Sequence, residues 1–168
     1  NPISKNKTFY AVFATAKTDE GEDDVTTTFD FTSGYENATA IGTKTQDGVT
    51  ITFGKGDNNS NKPTYYDSGN AVRVYAKNTI TVACTGLTKI TFTFGSDDGS
   101  NAITANTGSF STPTWTGSAN SVKFTIGGSS GNRRIQKVAV TYTATTSITT
   151  YSDYVTNCCN TPAPTNGT

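Results

Sequence analysis

Six side chains in this sequence have the types and spacing to bind a ligand: Tyr65, Tyr66, Asp67, Arg73, Tyr75 and Trp115. Tyr65 and Tyr66 follow Pro63 in a polar loop, and Asp67 comes directly after them. Arg73 and Tyr75 alternate with Val72 and Val74, so they point outward if the valines point inward. Trp115 stands alone in the polar stretch FSTPTWTG. An exposed aromatic ring offers a flat apolar face on which a sugar can stack, while a neighbouring Arg or Asp can read its hydroxyls. The competing expectation is structural, with Trp115 plugging one end of the core and Tyr65 or Tyr66 packing under the strand that follows.

Other chemistries fail on residue type. The chain contains no histidine, so its commonest general base is missing, and neither a Ser-His-Asp nor a Cys-His arrangement can be assembled. Only three glutamates occur, Glu20, Glu22 and Glu36, and most aspartates lie in Gly- and Asn-rich turns. A glycosidase carboxylate pair is therefore not the expected reading, and the chain is read as noncatalytic. Zinc would need histidine or clustered cysteine, and Cys84, Cys158 and Cys159 do not supply that spacing. Cys84, in step with Ile80 and Val82, reads as a small core residue. Calcium takes loop oxygens, which makes Asp57, Asp97 and Asp98 weak candidates for a structural calcium ion.

The positioning elements are strands. Thr fills 35 of 168 positions, Leu occurs once and Met never, a composition that suits pleated sheet and not helix. Lys and Arg total 13 and so do Asp and Glu, leaving no field to gather nucleic acid or an anionic membrane. No run is long and apolar enough to cross a bilayer.

Short alternating segments run from about residue 25 to 143. They are 26–31, 38–45, 49–53, 71–76, 79–84, 88–94, 121–126 and 134–143. Asp47-Gly48 predicts a tight hairpin between the second and third, and Lys77-Asn78 joins 71–76 to 79–84. One apolar face and one Thr- or Lys-bearing face predict antiparallel sheets covered on one side. The expected fold is an all-β antiparallel sandwich of jelly-roll or related Greek-key topology. The predicted core is Phe29, Phe31, Val49, Ile51, Phe53, Val72, Val74, Ile80, Val82, Ile90, Phe92, Phe94, Val122, Phe124, Ile126, Val138 and Val140. Residues 1–24 read as a terminal strand (8–16) and an acidic linker (18–24) from a preceding module. Residues 144–168 read as a Thr/Pro-rich C-terminal linker.

Two stretches carry a resemblance. NPISKNKTFYAVFA resembles the closing strand of internalin-type B repeats. FTSGYENATA, VTITFGKG, NKPTYYDSGNAVRVYAKNTITV and TKITFTF resemble a β-sandwich module of large secreted or surface-anchored proteins of Bacteroidetes, over residues 26–143. The resemblance implies a noncatalytic carbohydrate-binding or adhesion module on an extracellular, multidomain cell-surface protein, and the chain is expected to be a monomer. Its partners would be a glycan and neighbouring domains of the same chain. The alternative role is that of a structural spacer, or an adhesin domain that contacts a host protein.

Overall fold

The computed structural model describes residues 16–151. Residues 22–144 form one compact unit, and the described residues 16–21 and 145–151 belong to a second. The core and the site belong to the first. The expected strand at 8–16 lies outside the described residues save for Ala16, as do Cys158 and Cys159.

Among the described residues every regular element is a strand. In order they are β1 (Ala16–Asp30), β2 (Thr39–Ala40), β3 (Thr43–Gln46), β4 (Val49–Gly54), β5 (Thr64–Tyr66) and β6 (Ala71–Tyr75). There follow β7 (Thr79–Phe94), β8 (Ile103–Ala105), β9 (Ser109–Ser111), β10 (Thr114–Ile126) and β11 (Asn132–Tyr151). The segment 18–24, expected as a linker, is extended within β1, and 144–151 continues β11. The charge-rich 18–24 stretch lacks the apolar alternation that marks a strand.

The strand pairings among β2 to β11 are all antiparallel. The first part of β7 lies between β4 and the last part of β10, with β3 outside β4 and β8 outside β10. The second part of β7 lies between β11 and the first part of β10. From β11 the sheet continues through β6 and β5 to β2. For β7 the sequence predicts two strands, 79–84 and 88–94. It is one, because Gly86 at φ 74° supplies a bend that breaks the alternation without ending the ladder. A Cβ there would meet the Thr143 carbonyl oxygen at 2.9 Å.

Alternation sorts the side chains. Val49, Ile51, Phe53, Ile80, Val82, Val122, Phe124 and Ile126 are buried from the first half of the sheet. Val72, Val74, Ile90, Phe92, Val138 and Val140 are buried from the second, and Phe29 and Phe31 join them. Phe92 meets Phe124 edge-on at 5.0 Å and Phe31 meets Phe53 edge-on at 5.2 Å, so both halves contribute to one core. Phe94, expected inside, is only partly buried, and the Arg133 guanidinium covers its ring at 4.0 Å. Cys84 is half-buried against the core, and burial pushes its thiol pKa up. The core also takes Ile41, Leu87, Ile103 and Ile135, which stand alone in polar stretches or beside bulges where period two is interrupted.

Opposite the core, threonines face each other across strands. Thr43 and Thr52, Thr45 and Thr50, Thr91 and Thr114, and Thr26 and Thr141 are hydroxyl pairs at 2.9–3.3 Å in which either oxygen can donate. Asp47-Gly48 forms the predicted hairpin, both residues having positive φ (49° and 77°) between paired Gln46 and Val49.

Candidate functional site

Three of the six candidate residues meet on the outer face of β5 and β6. Thr64 pairs with Arg73 and Tyr66 with Ala71, which makes Tyr66 the diagonal neighbour of Arg73. The Arg73 guanidinium lies over the Tyr66 ring, 4.2 Å from its centroid. The Tyr75 hydroxyl donates toward the Tyr66 hydroxyl at 3.4 Å. All three side chains are half-buried. Burial, reinforced by the Tyr66 hydroxyl, pushes the Tyr75 phenol up to about 12.

The other three candidates go elsewhere. Trp115 is fully buried, and its indole N–H donates to the Thr107 carbonyl at 2.6 Å. It lies in β10, not in a loop. The sequence around it hid this, because TPTWTGSAN offers no second large apolar side chain with which Trp115 could alternate. Gly108, at φ 68°, lies against the indole, where a Cβ would overlap the ring. Tyr65 is also buried, tilted against Tyr35 with centroids 5.4 Å apart, and its hydroxyl donates to the Thr32 carbonyl at 3.3 Å. Asp67 is exposed, but its charge acts on the buried Tyr65 hydroxyl and, after burial, helps raise that phenol. From the turn after β5 it therefore acts on Tyr65. The structural expectation holds for Tyr65 and Trp115.

The neighbouring strand adds what sequence reasoning missed. Arg134 on β11 is the direct cross-strand partner of Arg73, and Asn132 is that of Tyr75. Arg134 reaches Asp97 through Nη1 at 3.2 Å, and Gly69 in the β5–β6 turn lies under it. The Gln136 amide donates to the Gly69 carbonyl at 3.1 Å and ties that turn to β11. The Nε atoms of both Arg73 and Arg134 are buried without a hydrogen-bond partner from the protein. Residue spacing carries no sign of this pairing, since 61 positions separate the two arginines.

Of the calcium candidates, Asp97 and Asp98 are engaged by arginine. Asp98 receives Arg133 through Nη2 at 2.6 Å and Nε at 2.8 Å, and its other oxygen accepts the Arg134 amide at 2.6 Å. Asp57 stands in the separate 54–63 loop. Among the described residues no three His, Cys, Asp or Glu side chains gather as a metal would need. The 54–63 loop borders a polar cavity of about 240 Å³ lined by Asn58, Asn59, Ser60, Asn61, Ala76, Lys77 and Ser129. Asn58 there is already engaged, donating to the Ala76 carbonyl after β6 and accepting from the amides of Ser60 and Asn61 in its own loop.

The chain matches no family model, no curated protein and no solved structure. The functional reading rests on the geometry of the β5–β6–β11 face.

Proposed function

We propose that this chain is a noncatalytic, extracellular glycan-binding module of a multidomain surface protein, and that the glycan lies on the outer face of β5 and β6. One observation carries the reading. Arg73 is stacked on Tyr66 beside the Tyr75 hydroxyl, which places half-exposed aromatic surface, a fixed cation and phenolic hydroxyls within one small area. Rings give shape-tolerant contact with a sugar, and the hydroxyls and guanidinium supply directional hydrogen bonds. The absence of histidine supports the noncatalytic part of the reading.

Such an open face binds weakly, in the micromolar to millimolar range that corresponds to about 4–8 kcal/mol. Tyr66→Ala should abolish retention in affinity electrophoresis through glycan-containing gels and leave the β-type circular dichroism spectrum unchanged. A broad glycan array with no bound sugar would replace this reading with that of a structural spacer. The spacer reading has its own support, because Tyr65 and Trp115, two of the four candidate rings, serve the core.

A further inference from the structure

We propose that the sugar recognised on this face is acidic: a polysaccharide of uronic acids whose carboxylate is held between Arg73 and Arg134. The inference rests on the glycan-binding reading and adds to it the ligand's charge and the residue that reads it.

The chain has three arginines, Arg73, Arg133 and Arg134. Arg133 is neutralised by Asp98 in a nearly buried pair. The other two occupy directly opposed positions on β6 and β11, where like charges repel. Among the described residues no carboxylate forms an ion pair with Arg73, and the one beside Arg134 is Asp97, whose side chain is 70 % exposed. Lys137, the next cation along β11, is matched by Asp30 at 2.6 Å. One positive charge is therefore left over at the arginine pair.

The geometry selects a carboxylate. Asp97 already seats one on Arg134 Nη1, and a mostly exposed pair of this kind is weak enough for a ligand to displace. With both Nε atoms shielded, the guanidinium donors that remain for a ligand are Nη groups. A planar carboxylate fits such paired donors. Gly69, at φ 92°, lets the turn pack close to Arg134 Nη1, where a Cβ would come within 3.1 Å, and the Arg134 side chain keeps 17 % of its surface exposed. Tyr66 and Tyr75 supply the flanking ring and hydroxyl for the sugar itself. A nucleic acid would need many more cations than two.

The test uses the 168-residue chain in affinity gels containing polygalacturonate, dextran sulfate or neutral dextran. Polygalacturonate should retard the protein, and raising NaCl from about 50 to about 500 mM should weaken the retention through screening. Arg73→Gln and Arg134→Gln should each weaken it by about tenfold or more. Arg73→Lys should do the same although the charge is kept, because the planar fork is lost. Melting temperatures show whether the variants fold. Independently of any variant, galacturonate oligomers should shift the Arg73 and Arg134 Nε–H signals of the unaltered protein in NMR. Unshifted signals, undiminished retention of the folded variants, or retention by dextran sulfate and not polygalacturonate would overturn the proposal. Retention by neutral dextran alone would overturn it and leave the glycan-binding reading standing, whereas retention by none of the three, with an empty glycan array, would remove both.

Discussion

Tyr75 gives the site a signature that can be read without a ligand. A phenol that must lose its proton while half-buried against another phenol does so late, near pH 12 instead of the usual 10. The folded state thus holds this proton more tightly than the unfolded chain does. Whatever stability this lends is fully present below pH 10 and is lost as pH rises from 10 toward 12. Spectrophotometric titration at the tyrosinate band should show a component near pH 12 that disappears in Tyr75→Phe. A Tyr75→Phe protein with the same late component would place the buried phenol elsewhere. Outward placement of Tyr75 and Arg73 was legible from their alternation with Val72 and Val74. The fate of Tyr65, Asp67 and Trp115 was not: ring burial depends on which strand lies overhead, and no local spacing encodes that.

Strands and their links show where sequence patterning suffices. The runs at 49–53, 79–84 and 121–126 have strict period two, and their inward faces are as expected. At 114–120 the strand is held by pairing with β7 and β9, so its own residues need not advertise it. The link most open to test is the 95–102 loop. Asp98 fastens it to β11 by binding Arg133 and the Arg134 amide, and Arg133 also donates to the Asn101 carbonyl at 2.9 Å. Their side chains are only 16 % and 8 % exposed, so removing the carboxylate strands a buried cation. Asp98→Ala should cost about 3–5 kcal/mol in chemical denaturation. A loss below about 1 kcal/mol, the value of an exposed pair, would show that this link does not hold the loop.

At the scale of the whole compact unit, β7 and β10 each serve both halves of the sheet. Neither half can melt without taking away a strand that the other needs, and the single aromatic core deepens that dependence. Trp115 is the one tryptophan of the chain and reports from the half that contains β9 and β11. Its fluorescence and the far-UV circular dichroism should therefore change in one coincident denaturant transition. Two separated transitions within the unit would mean that the halves are independent. The all-β class was plain from composition, because a Thr-, Val- and aromatic-rich chain with one leucine has little else it can build.

The paired threonines of the outer faces have a consequence for the protein's disorder. In each of the four pairs either hydroxyl can be the donor, so two arrangements of the protons satisfy the same oxygen positions. A backbone amide ladder has no such freedom, since donor and acceptor are fixed by the chain. Two equivalent states are worth RT ln 2, about 0.4 kcal/mol per pair at room temperature, in entropy that folding need not remove. The threonine faces are thus fixed in their heavy atoms and unfixed in their protons.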